Sequence, residues 1–137
     1  MLDLTLKTTI SPCRARMITR GMVNFLRELI TDDVLHDIEL ALTEACSNVA
    51  LHAYPGGSGP VWIRMTVSLN REISFQLVDQ GVEFSCPLDL PGKDSHSGRG
   101  IYIIRRVASG FSYERKDGSN ILCFKKTIRR DQWKECV

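Results

Sequence analysis

The chain has 137 residues, of which 43% are hydrophobic and 25% charged, and its formal net charge is +2. This composition is typical of one globular domain that can bury a core, and the small net charge gives no basis for bulk attraction to nucleic acid. No stretch is long and apolar enough to span a bilayer, and the N-terminus lacks the basic start of a signal peptide. The five cysteines are odd in number and contain no Cys-x-x-Cys pair, which predicts free thiols in a reducing cytoplasm.

The first elements are predicted from alternation followed by helical periodicity. Leu2, Leu4 and Leu6 alternate with polar residues and indicate a strand. Ser11-Pro12 is a favourable helix start, because a capping hydroxyl precedes a proline at the first helical position. We expect this helix to end near Thr31 and to bury one apolar row, which consists of Ile18, Met22, Phe25, Leu26 and Leu29.

The second helix carries two separate rows of side chains. It begins at Asp32-Asp33, where the helix dipole favours carboxylates, and ends before the turn cluster 55–60. Its apolar row recurs at three- and four-residue steps: Leu35, Ile38, Leu42, Ala45, Cys46 and Val49. Glu44, Asn48 and His52 lie four apart on a different face. Taken alone, this polar row fits a solvated helix face and the wall of a ligand site equally well.

The remaining elements are strands and one further helix. Their one-sided alternation predicts a sheet with helices on one face and solvent on the other, which is an α+β two-layer sandwich. Asp117-Gly118 is a typical hairpin turn between the last two strands. The predicted elements are strands 61–69 and 73–79, a helix over 101–107, and strands 111–114 and 120–127.

Two glycine motifs follow the second helix, which carries the polar row, later in the chain. Asp79-Gln80-Gly81 ends a buried strand with a carboxylate and a flexible turn, and Gly98-Arg99-Gly100 opens a helix whose N-terminus favours phosphate. Each motif alone is commonly a simple strand exit or loop, but the order of all three is much more specific. The segment 82–97 between them has no regular period, which indicates either a lid over a ligand or an insertion without a function.

The order and spacing of these motifs resemble the nucleotide-binding boxes of the GHKL ATPases, also called Bergerat-fold or histidine-kinase-like ATPases. Within them, the chain is most similar to small bacterial anti-sigma factors that are also serine kinases. The resemblance runs from about Leu4 to Lys126. The family's Glu/Asn motif, called the N box, is matched here by the segment 44–48 followed by His52-Ala53-Tyr54. It implies one domain over 1–137, with a mixed, mostly antiparallel sheet and an ATP lid at about 82–97.

The resemblance also implies that the site binds ATP and Mg²⁺. Asn48 would offer its side-chain oxygen to Mg²⁺, and Glu44 would be the general base that accepts the proton of the attacking hydroxyl. His52 would have either a phosphate-side role or a purely structural one as a cap of the helix end.

The other implied contacts lie in the glycine motifs and the last strand. Asp79 would bind the adenine amino group, with Gly81 turning the backbone beside the base. The phosphates would meet Gly98, Arg99 and Gly100. Ser119 or Asn120 occupies the position where the family usually has Thr, and would help to hold Asp79 or adenine. One departure is Glu83, which stands at a usually small position and would either narrow the pocket or repel phosphate.

The activity implied by the resemblance is that of a protein serine/threonine kinase in a partner-switching circuit. Its substrate would be a small anti-sigma-factor antagonist, its second partner an RNA polymerase sigma factor, and its own state a homodimer. No direct contact with nucleic acid or membrane is expected. A non-catalytic, ATP-dependent partner-binding module is the alternative, and a histidine-kinase catalytic fragment is a weaker one because the lid is short.

Overall fold

A computed structural model describes residues 1–83 and 99–134, without the side chain of Arg99. The strands are β1 (Leu2–Thr9), β2 (Pro60–Ser68), β3 (Glu72–Asp79), β4 (Gly110–Lys116) and β5 (Ser119–Thr127). The helices are α1 (Pro12–Arg27), α2 (Asp32–Asn48) and α3 (Arg99–Val107), with a π-helical turn at Val49–Ala53 and a 3-10 turn at Arg130–Gln132. The predicted order of strands and helices is confirmed.

The five strands form one sheet in the order β1-β2-β3-β5-β4. The prediction allowed for a mixed sheet, but all four strand pairings of the described residues are antiparallel. Asp117 and Gly118 join β4 to β5 with positive φ angles of 51° and 79°, as a two-residue hairpin turn requires. The α+β fold with helices against one face of a sheet is confirmed.

The core lies between the sheet and the helices. The residues predicted to form the apolar row of α2 are all buried, from Leu35 to Val49. Alternate residues of β2 and β3 join them in one cluster, in which the rings of Phe75 and Phe124 stack with centroids 4.9 Å apart. Strand alternation therefore directs one face of the sheet to the core, as the sequence pattern predicts.

Helix α1 begins as predicted but ends earlier. The Ser11 hydroxyl accepts a hydrogen bond from the Arg14 amide at 3.2 Å, which caps the first turn. The helix ends at Arg27 instead of near Thr31, because the residues after it pair with the C-terminal segment. The Thr31 amide donates to the Gln132 carbonyl at 2.9 Å, and Ile30 forms a strand-like bridge with Trp133.

The buried row of α1 also differs from the prediction. It consists of Ala15, Thr19, Val23 and Leu26. Of the predicted row, only Leu26 is fully buried, whereas Phe25 is 40% exposed. Helix α1 has two neighbouring apolar rows, and periodicity alone does not show which of them packs against the core.

The thiols of Cys13, Cys46 and Cys123 are free, in agreement with the prediction for these three residues. Burial raises the pKa of the Cys46 thiol to about 11, so this side chain behaves as a small apolar core residue. Cys86 and Cys136 lie outside the described residues. No helix in the described part of the chain has the length and apolarity needed to cross a membrane.

Candidate functional site

Glu44 and Asn48 lie one turn apart near the end of α2, and both are half-buried. Residues four apart on an α-helix share a face, so the carboxylate and the amide stand in one row. Within residues 1–83 and 99–134, neither side chain forms a hydrogen bond or an ion pair. Their polar atoms therefore have no partner among the described residues.

The N-terminal turn of α3 packs directly against this pair. A Cβ atom added to Gly100 would lie 2.8 Å from Glu44 Oε2 and 3.4 Å from both Asn48 Oδ1 and Asn48 Nδ2. Glycine is needed here for close approach, because any side chain would displace the carboxylate. The unpaired amides and the dipole of a helix N-terminus favour anions, so this corner combines an anion-attracting end with a carboxylate and an amide that no described residue binds.

His52 is not aligned with this pair in the way that the sequence predicts. It lies in the π-helical turn Val49–Ala53, and it is exposed. A π-helical turn is wider than an α-helical one, so a four-residue step no longer places His52 directly above Asn48. Its phosphate-side role stays a prediction.

Asp79 ends β3 as a buried carboxylate that is 1% exposed. Its Oδ1 atom accepts hydrogen bonds from the Gly81 amide at 2.9 Å and from Asn120 Nδ2 at 2.8 Å. Both hydrogen bonds that Asp79 makes within the described ranges use Oδ1. The second oxygen, Oδ2, is therefore an oriented acceptor for a donor that the described residues do not provide.

Gly81 connects this carboxylate to the end of the polar helix. A Cβ atom at Gly81 would lie 2.0 Å from the carbonyl oxygen of Ala53, and the same oxygen accepts a hydrogen bond from the Val82 amide at 2.8 Å. We predicted that Gly81 serves to turn the backbone. The structure shows a different reason for glycine, which is that two backbones touch at this point.

Asn120, and not Ser119, is the β5 residue beside Asp79. The two pair directly in the β3–β5 register, and adjacent strand residues point to opposite faces, so Ser119 points away from the carboxylate. Both polar atoms of the Asn120 side chain have their hydrogen bonds satisfied by other protein groups. Its Nδ2 atom donates to Asp79 and to the Val82 carbonyl, and its Oδ1 atom accepts from Tyr113 and, at 3.0 Å, from Arg115.

Tyr54 has a polar function that the sequence analysis did not detect. Its hydroxyl donates to the Pro60 carbonyl and accepts from the Gln80 amide at 2.8 Å. Burial is the largest cause of its raised pKa, so the hydroxyl keeps its proton at neutral pH. Tyr54 thereby ties the end of the polar helix to the residue that follows Asp79. The only sequence signal was its place next to His52-Ala53.

Several predicted features lie outside the described residues. These are Gly98, the side chain of Arg99 and residues 84–97 of the predicted lid, while the Arg99 backbone opens α3. In the described ranges, no group of three or more His, Cys, Asp or Glu residues could hold a metal ion. Mg²⁺ in phosphate sites takes only one or two protein oxygens, so the amide oxygen of Asn48 beside the carboxylate of Glu44 fits this ion.

Comparisons with known proteins show what the chain as a whole is similar to. The family model described as a histidine kinase-like ATPase domain matches residues 9–126. A relative from Bacillus thuringiensis (strain Al Hakam), named serine-protein kinase RsbW, is 28% identical in an alignment 128 residues long that covers 85% of this chain and 78% of the relative. The protein of the same name from Bacillus mycoides (strain KBAB4) is 27% identical over the same shares.

Two solved structures share the fold. The RsbU and RsbW domains of Rv1364c from Mycobacterium tuberculosis match 92% of this chain and 33% of the longer chain, with a TM-score of 0.66 and 16% identity. The SiaB-SiaC complex from Pseudomonas aeruginosa contains a chain that matches over 91% of this chain and 89% of its own length, with a TM-score of 0.57 and 14% identity.

Proposed function

We propose that this chain, which belongs to the histidine kinase-like ATPase domain family, is an ATP-dependent protein serine/threonine kinase that also acts as an anti-sigma factor. The observation that carries the proposal is the contact of Gly100 with Glu44 and Asn48. In this contact the Glu44 carboxylate, which has no partner in the described ranges, lies at a helix N-terminus suited to phosphate. Binding a nucleotide alone would not need a carboxylate there, whereas phosphoryl transfer to a hydroxyl needs a base.

The nucleotide would lie between Asp79 at one end of the site and the N-terminal turn of α3 at the other. The adenine amino group would donate to Asp79 Oδ2, which the contacts of Oδ1 leave oriented for it. A hydrogen bond to a charged group of this kind contributes about 1.5–3 kcal/mol. The phosphates would extend towards the N-terminal turn of α3, where Gly100 and the backbone of Arg99 lie.

Glu44 would act on the incoming hydroxyl of a Ser or Thr side chain. Its carboxylate accepts the proton while the hydroxyl oxygen bonds to the γ-phosphorus, and the bond from that phosphorus to the bridging oxygen breaks to release ADP. Such a base contributes about 10²–10⁴-fold to the rate, and the rest of phosphoryl transfer is positioning and charge stabilisation. When Mg²⁺ is bound by Asn48 and the phosphates, it supplies part of that charge stabilisation.

The partners are those that the sequence resemblance implies. A small anti-sigma-factor antagonist would be the substrate, and an RNA polymerase sigma factor would be held while the antagonist stays phosphorylated. The name serine-protein kinase of the Bacillus relatives supports a protein serine as the acceptor of the phosphate. The proposal includes a cytoplasmic homodimer in which residues 1–137 form one domain, with His52, Gly98 and Arg99 at the nucleotide and 82–97 as its lid; the β3–β5 register leaves Ser119 out of it.

Transfer of labelled phosphate from ATP to the antagonist tests this function. We expect Glu44→Gln to keep the ATP affinity of the wild type and to lose transfer by about 10²-fold or more. Asn48→Ala should lose both Mg²⁺-dependent ATP binding and transfer. Wild-type protein that binds ATP but transfers no phosphate to any cognate antagonist would establish the non-catalytic binding module instead.

A further inference from the structure

A row of paired residues connects Asp79 to an arginine that the proposed function does not use. Asp79 of β3 pairs with Asn120 of β5, and Asn120 pairs with Arg115 of β4. Residues that pair directly in antiparallel strands point to the same face of a sheet, so the three side chains lie side by side on one face. Arg115 is therefore the last member of a row that begins at the proposed adenine carboxylate.

One nitrogen of the Arg115 guanidinium holds two groups at once. Its Nη1 atom donates to the Gly81 carbonyl at 2.6 Å and to Asn120 Oδ1 at 3.0 Å. The same two residues donate to Asp79 Oδ1, Gly81 through its amide at 2.9 Å and Asn120 through Nδ2 at 2.8 Å. The contacts form a closed ring that runs from the guanidinium through Gly81 and Asn120 to a single carboxylate oxygen.

The ring fixes the orientation of the Asn120 amide. Oδ1 of this amide accepts from Arg115 and from the Tyr113 hydroxyl, and Nδ2 donates to Asp79 and to the Val82 carbonyl. A rotated amide would set Nδ2 against a guanidinium that can only donate. It would also set Oδ1 against two oxygens that can only accept. Asn120 therefore presents a donor to Asp79, and both donors to Asp79 Oδ1 belong to residues that Arg115 holds.

We propose that Arg115 is a positioning residue that makes the site select a purine with an amino group at C6. It acts through Gly81 and Asn120, whose donors occupy Asp79 Oδ1 and leave Oδ2 as the acceptor for the base. A purine with an oxygen at C6 would set two acceptors against each other at Oδ2 and would bind less tightly. The inference rests on the nucleotide binding of the proposed function, but it does not depend on phosphoryl transfer.

The same two donors should reverse the base preference when Asp79 is replaced by asparagine. An asparagine side chain has one oxygen and one NH2 group. The Gly81 amide and Asn120 Nδ2 both donate to the Oδ1 position, so the oxygen of the new amide should occupy that position. Its NH2 group then lies at the Oδ2 position, where it can donate to an oxygen at C6 but faces the amino group of adenine as a second donor.

Calorimetric titration with two nucleotides in the presence of Mg²⁺ tests the inference. The nucleotides are ATP and inosine triphosphate (ITP), which has an oxygen at C6 in place of the amino group. Wild type should bind ATP about 10–100-fold more tightly than ITP, the factor expected when one buried polar group is left without a partner. Asp79→Asn should bind ITP more tightly than ATP. Equal affinities in the wild type, or an Asp79→Asn variant that still prefers ATP, would overturn the inference.

Arg115→Met separates positioning from general stability, because it removes both contacts of Nη1 and keeps a long, unbranched side chain. The ratio of ATP affinity to ITP affinity should fall about tenfold, the contribution of one hydrogen bond to a charged group. In the Asp79→Asn background, the same change should abolish the preference for ITP. Arg115→Lys keeps one donor group and should give an intermediate ratio. If Arg115 were merely structural, its loss would lower both affinities by the same factor, and an unchanged ratio in both variants would refute the proposal.

Lys116→Met is the matched control. It removes one positive charge from the next residue of β4, which is exposed and points to the opposite face of the sheet. It should keep the wild-type ratio, and a fall as large as that in Arg115→Met would show that charge alone decides the selection. Phosphate transfer that fails in a protein that still selects ATP over ITP would count against the kinase proposal alone. A wild type that binds neither nucleotide would overturn both.

Discussion

Gly100 and Glu44 are so close that a Cβ atom on the glycine would lie 2.8 Å from the carboxylate oxygen Oε2. One residue opens α3 and the other lies in α2, so this contact joins the anion-attracting helix end to the proposed base. The site therefore depends on how tightly two helices pack, and not only on which side chains are present.

Gly100→Ala should separate activity from stability. Alanine suits a helix better than glycine, and the flexible Glu44 side chain can move away from the new methyl group, so stability should be unchanged or slightly higher. The displaced carboxylate should lower phosphotransfer by about 10²-fold, because misplacement by about 1 Å has that effect in enzymes. Thermal unfolding and transfer assays measure the two quantities.

Gly21→Ala is the matched control, since Gly21 is a glycine within α1 with no atom within 4 Å of the added Cβ. It should raise stability by about 0.5–1 kcal/mol and leave transfer unchanged. If Gly100→Ala transfers phosphate as fast as this control, the contact with Glu44 has no part in catalysis.

Gly81→Ala should destabilise the protein and weaken ATP binding. The new methyl carbon would lie 2.0 Å from the Ala53 carbonyl oxygen, and a backbone carbonyl cannot move aside as a flexible side chain can. Overpacking of this kind costs about 1–3 kcal/mol. Urea unfolding and calorimetric titration with ATP measure the effects. Gly57→Ala, whose Cβ has open space, should change neither quantity, and an equally small effect at Gly81 would contradict the close approach.

Asn120→Asp should make ATP binding depend on pH. It sets a second carboxylate where an amide donor lies 2.8 Å from Asp79 Oδ1, and Arg115 offsets only part of the repulsion. Two carboxylates at this distance cannot both ionise freely, so the variant should bind ATP more tightly at about pH 5.5 than at about pH 8.

The comparison variant is Asn120→Leu, which removes the same hydrogen bonds without adding a charge. Its affinity for ATP should be lower than that of the wild type by the same factor at both pH values. Titration of the wild type and both variants over this range would show whether Asn120 orients Asp79. A pH-independent affinity of Asn120→Asp would refute that role.

Asp33 should contribute to stability only above acid pH. Hydrogen bonds from the Thr31 hydroxyl and then from the Gln132 side-chain amide are the main causes that lower its pKa from 3.8 to about 2. A carboxylate with a depressed pKa in the folded state stabilises that state above its unfolded value, and the contribution is lost as the pH falls towards 2.

The variant Asp33→Asn tests this sign. Wild type should be more stable than the variant at neutral pH, and the difference in the free energy of unfolding should disappear between about pH 4 and pH 2. Chemical denaturation at each pH gives the difference. A difference that stays constant over this range would show that the carboxylate is not what stabilises the start of α2.

Local pattern determined much of this protein. The order of the elements, the buried row of α2 and the pairing of Glu44 with Asn48 on another face all follow from the sequence. So does the place of Asp79 at the end of a buried strand. Helical and strand periodicities are properties of neighbouring residues, so no knowledge of distant contacts is needed to derive them.

Other features were decided only when distant segments met. Helix α1 ends at Arg27 because the C-terminal segment pairs with the residues after it, and Phe25 is exposed because the helix turns its other apolar row to the core. Asn120 and not Ser119 faces Asp79 because of the β3–β5 register. In each case the local sequence allows two arrangements with similar patterns. The arrangement that forms is the one that packs or pairs with a segment distant in the chain.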